Sequence, residues 1–215
     1  GTYYLSENEI QYSGQWGQDV ANGHGKYLHP DGSSYEGQWK MAEQDGAGVE
    51  KEANGSVYEG EFLHGSKHGA GVWRSEDGEE YMGEFQYDRM HGKGSYQFKD
   101  GRLYTGQWQI GHMEGQGTME WPSGDTYEGN YKQDLMHGEG IYIYADGSQH
   151  TGEWIAGKAK AAIRETTKAA KQGQNSRSSS KQSTASKKEA TAEEEPHKHP
   201  FEEPAEPAED TIESL

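Results

Sequence analysis

Cysteine is absent from the 215 residues. That excludes a disulfide framework, thiolate metal sites and cysteine nucleophiles. No apolar run approaches the ~18 residues a membrane-spanning helix requires. No signal peptide is visible. The chain starts at Gly1, and N-myristoylation wants Ser or Thr four residues later, where Leu5 stands, so lipidation is not expected. Asn54-Gly55-Ser56 matches a glycan acceptor, but its place in a repeating turn column makes a turn the expected role. Basic residues are scarce in the first 157 residues, which carry 10 Lys/Arg against 26 Asp/Glu, or −16 of the total −17. Such a segment repels nucleic acid and anionic lipid surfaces and favours basic partners or plain solubility. Cytosolic residence fits these absences.

What is present divides sharply near residue 157. The residues before it hold 23 of the 24 aromatics and 30 of the 31 glycines. Residues 158–215 are rich in Lys, Ser, Ala, Glu and Pro and cannot bury a core. Within them, 158–188 carry nine Lys/Arg against Glu165, and 189–215 carry ten Asp/Glu against Lys198. The expectation is one repeat domain over 3–157, a short helix over 158–172 that caps the last strand, and a disordered charged tail over 173–215. Ala, Lys, Arg, Glu and Gln in 158–172 are good helix formers. Serines among the Lys and Arg of 176–186 are candidate phosphorylation sites in a solvated linker.

The aromatics and glycines recur with a fixed period. Tyr12, Tyr35, Tyr58, Tyr81, Tyr104 and Tyr127 stand 23 residues apart, and the next step is His150. With the Tyr as position 0, glycines fall at +2, +11, +13 and +20, and an aromatic at +4: Trp16, Trp39, Phe62, Phe85, Trp108, Tyr131 and Trp154. A period of this length signals a repeat array. Positions 0, +2 and +4 share one face of a strand over 0 to about +5, and the polar +1 and +3 share the other. A second strand covers about +13 to +18. The Asp-Gly, Asn-Gly or Ser-Gly before each new repeat marks a hairpin in which both residues would need positive φ. The predicted fold is all-β: an elongated single-layer antiparallel meander of half a repeat, six full repeats and half a repeat, with fourteen strands. The glycines at +2 and +13 lie on the ring-bearing face, so a neighbouring ring is expected to cover them.

Residues 127–147 read Tyr-Glu-Gly-Asn-Tyr, five residues, then His-Gly-Glu-Gly-Ile-Tyr-Ile-Tyr-Ala-Asp-Gly. This pattern resembles the MORN repeat (membrane occupation and recognition nexus) over residues 3 to about 157. The resemblance implies a twisted single sheet whose groove of rings and glycines accepts helical or extended protein segments. A chain almost wholly of repeats, strongly acidic and with a charged tail is similar to the small MORN subunits of the radial spoke head of motile cilia and flagella. In size and N-terminal start it is similar to the green-algal member of that group. The resemblance implies a structural scaffold in the cytoplasm and cytoskeleton, at the axoneme, with other spoke-head proteins as partners, a second MORN subunit among them. The alternatives are a cytosolic MORN adaptor holding a motor or signalling partner, and a membrane-tethering MORN protein. The charge of the array argues against the last.

No nucleotide fingerprint, phosphate loop or nucleophile elbow is completed, so no enzyme activity and no cofactor are expected. His68, His91 and His137 share position +10, but equivalent positions lie roughly 10 Å apart across two strands. Zinc needs ligand nitrogens at ~2.0–2.1 Å, so the column supplies no metal site and a structural or turn role is expected. The aromatic columns have two readings: the rings hold a thin sheet together, or they stay partly exposed and anchor a partner. The groove candidates are Tyr96, Trp108, Trp121 and Tyr142. Glu50 and Glu52 break the +15 and +17 aromatic columns. They are either degenerate positions at a sheet margin or an acidic notch that receives Lys or Arg from a partner.

Overall fold

A computed structural model describes residues 1–6, 9–160 and 164–165. The chain divides into a unit of residues 1–171 and one of 172–215. The second unit, the tail expected over 173–215, lies outside the described residues.

The repeats form one antiparallel meander in which successive strands of the array pair with each other. The strands are β1 (Thr2–Ser6), β2 (Glu9–Gly17), β3 (Val20–Leu28), β4 (Ser34–Lys40), β5 (Glu43–Lys51), β6 (Val57–Leu63) and β7 (Ser66–Arg74). They continue as β8 (Glu80–Gln86), β9 (Arg89–Gln97), β10 (Leu103–Gln109), β11 (His112–Glu120), β12 (Thr126–Lys132), β13 (Leu135–Ile143) and β14 (Gln149–Ile155). The second strand of each repeat is longer than the sequence suggested, since β9 already begins at +8. The connection before it is a two-residue turn rather than a loop. His68, His91 and His137 therefore lie within strands, opposite Glu61, Glu84 and Asn130, and not in turns.

The Asx-Gly turns differ from expectation. In the Asx-Gly turns only the glycine has positive φ, 89° at Gly32 and 92° at Gly78. Gly32 N donates to His29 O at 3.0 Å and His29 N to Ser33 O at 2.8 Å. This is a three-residue connection with the glycine in the left-handed position. The turns with two positive φ angles are the others, such as Tyr87-Asp88 at 48° and 65° and Gln133-Asp134 at 47° and 67°. Their second residue is Asp or Gly in every repeat but the one with Ala42, which suits positive φ, whereas nothing in the first residue announces the turn. Stacking holds it: Asp88 N donates to Lys67 O at 3.0 Å and Asp134 N to Met113 O at 3.2 Å. The Asp88 carboxylate also accepts Lys67 N at 2.8 Å, and that of Asp134 accepts Met113 N at 2.7 Å.

Glycine supplies the register. Gly83 faces Gly94 on one side and Gly71 on the other. The same pairing runs across the sheet as an unbroken file from Gly14 to Gly152. One Tyr covers each pair: its ring lies on the strand of the +2 glycine, two residues upstream, and extends over the +13 glycine of the neighbouring strand, so a neighbouring ring covers the +13 column as expected and a same-strand ring covers the +2 column. A Cβ at Gly94 would lie 2.6 Å from Tyr81 Cζ, and one at Gly83 2.6 Å from Gly94 Cα. The Tyr81 hydroxyl reaches across the pair and donates to Glu84 O at 2.9 Å. That carbonyl lies beside a β-bulge that shifts the register between Gly83 and Glu84. At the bulge the +11 glycine takes positive φ, 60° at Gly92. The +3 side chain satisfies the bulged strand: Glu84 Oε1 accepts Lys93 N at 3.1 Å, and Gln15 Oε1 accepts His24 N at 2.8 Å.

Rings complete the one-layer core. Tyr81 meets Phe85 of its own repeat edge-on at 5.0 Å and Trp108 of the next at 5.3 Å. The alternation continues along the array, so that Tyr104 joins Trp108 to Tyr131 and Tyr127 joins Tyr131 to Trp154. Edge-to-face pairs at these separations are each worth about 0.5–1.5 kcal/mol beyond burial. Tyr35, Tyr58, Tyr81, Tyr104 and Tyr127 are fully buried although the sheet has no second layer.

The C-terminal edge closes with strand rather than helix. β15 (Lys158–Ala159) and β16 (Arg164–Glu165) both pair with β14, as Trp154 with Ala159 and His150 with Arg164. An exposed last strand presents unpaired N–H and C=O groups. Continuing the meander satisfies them directly, which a helix laid against the edge would not. The rest of the helix expected over 158–172 lies outside the described residues. Among the described residues no helix is long and apolar enough to cross a membrane.

Candidate protein-binding face

The candidate residues fall into three groups. Tyr96 and Trp108 are each 3 % exposed and their centroids lie 6.0 Å apart. Trp108 belongs to the edge-to-face ladder and its Nε1 donates to Gly94 O at 3.3 Å. Burial, then the nearby Glu79 carboxylate, pushes the Tyr96 hydroxyl well above the ordinary phenol range. Both rings are built into the sheet and present little surface to a partner.

Trp121 and Tyr142 are half-buried, with ring centroids 5.4 Å apart. Trp121 sits at the foot of the Ser123-Gly124 turn, where its carbonyl accepts Gly124 N at 2.9 Å. The Tyr142 hydroxyl donates to Asp125 Oδ2 at 3.2 Å. Tyr144 lies 4.8 Å from Tyr142, and Trp154 lies 6.1 Å from it. This cluster keeps ring surface exposed beside an acidic turn, the chemistry expected of an aromatic anchor.

Glu50 and Glu52 meet a lysine of this chain. Lys67 Nζ lies 3.0 Å from Glu50 and 2.5 Å from Glu52, with only 12 % of its side chain exposed. It also sits 5.4 Å over the Tyr58 ring. Burial favours the neutral amine, but the hydrogen bond to Glu52 and the charge of Glu50 outweigh it and hold the Lys67 pKa above its ordinary value. The acidic notch is therefore filled internally. The signal was present in the sequence. Position +9 is Ala21, Gln44, Met90, Met113 or Met136 elsewhere, and it turns to Lys67 in the repeat after the two glutamates. Within each column the glutamates look uncompensated, and the compensation shows only between neighbouring repeats.

A stability test follows. Lys67→Met leaves two partly exposed carboxylates against an apolar surface and is expected to cost about 1–3 kcal/mol, less than a fully buried pair would. Glu50→Tyr and Glu52→Phe combined with Lys67→Met recreate the Tyr96, Phe98 and Met113 arrangement of later repeats. That triple variant is expected to be at least as stable as the parent in urea unfolding. A triple variant weaker than Lys67→Met alone would refute the compensation.

On the opposite face the +1 and +3 residues are solvated; Glu36, Glu59, Glu61 and Glu128 are all exposed. Among the described residues no three His, Asp or Glu converge as metal ligands.

The MORN repeat model matches residues 12–34, 35–57, 58–80, 81–101, 104–126 and 127–149. No match was found among curated proteins. Among solved structures, the chain is similar to the TCP domain of SAS-4 (dCPAP) of Drosophila melanogaster, in complex with a proline-rich motif of Ana2 (dSTIL). Identity is 9 %, the match covers 61 % of this chain and 72 % of that one, and the TM-score is 0.40. At that level the likeness carries no argument about function. The six matched repeats make up more than half of the chain, and the glycine file, the Tyr lids and the ring ladder give each repeat the same physical role. The chain belongs to the MORN-repeat family.

Proposed function

We propose that this chain is a non-enzymatic scaffold that holds a helical or extended segment of another protein against its ring-bearing face. We place it in the radial spoke head of the ciliary or flagellar axoneme, with other spoke-head proteins, a second MORN subunit included, as neighbours. The observation that carries the scaffold reading is the Trp121–Tyr142 pair. Its rings stay partly exposed, although Tyr81, Phe85, Tyr96, Phe98, Tyr104 and Trp108 on the ring-bearing face are buried. Position +17 also accepts His29, Glu52 and Ser75, so the fold does not require a large ring there. Asp125 beside the pair, and −16 on residues 1–157, would steer a basic partner. The axonemal placement rests on a chain built almost wholly of acidic repeats with a charged tail.

A cytosolic adaptor holding a motor or signalling partner would use the same rings, and the identity of the co-purifying proteins separates the two. Membrane tethering is disfavoured by the charge of the array.

Trp121→Ala is expected to fold and to fail in assembly. The variant is expressed in cells that lack the protein, and isolated spokes are examined by mass spectrometry. The expected result is spokes depleted of the chain while the soluble variant keeps its melting temperature within a few degrees. Normal incorporation of a stable Trp121→Ala protein removes this ring from the interface. Normal spokes with no copy of the chain reject the scaffold role there.

A further inference from the structure

The tips of the two-residue turns break two local rules at once. Met41, His64, Tyr87 and Ile110 occupy position +6 in four successive repeats, with φ of 52°, 50°, 48° and 52°. Gly, Asn and Asp, and among other residues His, enter that region most readily, and a bulky Tyr or β-branched Ile there is a clear outlier. Three of these tips are also exposed apolar side chains: Met41 63 %, Tyr87 64 % and Ile110 51 %. The fold would be better served by Asn at each tip. Residues that violate local preference without a gain to the fold mark surfaces under another constraint.

The edge is also electrically distinct. Residues 40–43, 63–66, 86–89 and 109–112 carry Lys40 and Arg89 against Glu43 and Asp88. The three opposite turns between them, 52–56, 75–79 and 98–102, carry Lys99 and Arg102 against Glu52, Glu76, Asp77, Glu79 and Asp100. A file of turns with no net charge, apolar at three of its four tips, thus runs along one edge of a strongly acidic array. It is held in place, because each turn bonds to the preceding repeat: Gly65 N to Gln44 O at 2.9 Å, Asp88 N to Lys67 O at 3.0 Å and Gly111 N to Met90 O at 2.9 Å.

We propose that this edge docks an α-helix of another protein that offers one apolar residue to each tip, in steps of seven. Successive tips are two strands apart, roughly 9.6 Å, and sheet twist lengthens the step slightly. Seven helical residues advance ~10.5 Å and return to nearly the same face. An extended strand covers the step in three residues but points alternate side chains to opposite faces. A polyproline helix of ~3.1 Å per residue keeps its face, but it docks between aromatic rings, and of the four tips only Tyr87 is a phenol or indole. The neutral edge matches an uncharged stripe rather than a basic one. This surface is separate from the ring-bearing face, so the outcome at Trp121 does not decide it.

The test maps register. A benzophenone amino acid replaces Met41, Tyr87 or Ile110, one at a time, in the full chain in its native cells. Cross-linked peptides are then sequenced. The expected result is a single partner segment with sites about seven residues apart for the step from 87 to 110 and about fourteen for the two steps from 41 to 87. Steps of three residues, scattered sites or no cross-linked partner overturn the proposal. Met41→Asn, Tyr87→Asn and Ile110→Asn together remove the apolar tips while easing the backbone, since Asn tolerates positive φ. That variant is expected to melt no lower than the parent, and cross-linking from a benzophenone at position 64 falls at least tenfold. Undiminished cross-linking from a stably folded triple variant also overturns it.

Discussion

Gly83→Ala is expected to destabilise the array by about 2–4 kcal/mol, a large cost for one methyl group. The methyl carbon would lie 2.5 Å from the Tyr81 hydroxyl and 2.6 Å from Gly94 Cα. The second contact is backbone, so relief requires the strands to separate or the Tyr81 ring to leave its place. Leaving would break the hydrogen bond to Glu84 O and the edge contacts with Phe85 and Trp108. Gly83→Val is worse, because its branched Cβ meets the same walls. Gly152→Ala is the control. It stands in the same column of the repeat, but there the position 0 residue is His150, and a Cβ would meet only His150 Nε2 at 3.6 Å. Its effect is expected to be within about 0.5 kcal/mol. Urea unfolding of both variants measures the difference, and equal melting of the two would show that the Tyr lid does not enforce the glycine.

The array is expected to unfold cooperatively in alkali, between about pH 10 and pH 12. Burial pushes the hydroxyls of Tyr35 and Tyr127 up to about 12 and those of Tyr58, Tyr81 and Tyr104 higher still. In the unfolded chain these groups ionise near their ordinary value of about 10. The raised folded values mean that their contribution to stability is fully present below pH 10. It is lost as pH rises from there through the folded values, because the unfolded chain then sheds protons that the folded one keeps. The losses add over every repeat that carries a Tyr lid. The tyrosinate absorbance that belongs to the lids should therefore rise late and steeply, together with the loss of sheet circular dichroism. A shallow titration centred near pH 10 with the sheet intact would show that the lids are open to solvent.

The 23-residue period with its Tyr, Gly and ring columns suffices for a single-layer meander, because period-two alternation and turn glycines leave one consistent pairing. Glycine opposite glycine was implied by the +2 and +13 columns. The site was less legible. Tyr96, Trp108, Trp121 and Tyr142 look equivalent as aromatics in repeating columns. Burial separates them, since Trp108 lies between two Tyr rings while Trp121 has its neighbour on one side near a turn.

The sequence by itself determined the architecture: the strand alternation, the fourteen-strand array and the Asx-Gly edge follow from side-chain period and from the backbone freedom of glycine. Tertiary structure decided what depends on neighbours two strands away. The turns at Tyr87-Asp88 and Gln133-Asp134 take left-handed backbone because hydrogen bonds from the preceding repeat hold them there. Glu50 and Glu52 share an ion pair within the chain because Lys67 of the next repeat reaches between them. Segment 158–165, whose residues favour a helix in isolation, supplies two short strands because β14 offers an open hydrogen-bonding edge. In each case a local preference of about 1 kcal/mol or less per residue gives way to bonds that exist only once the repeats are stacked.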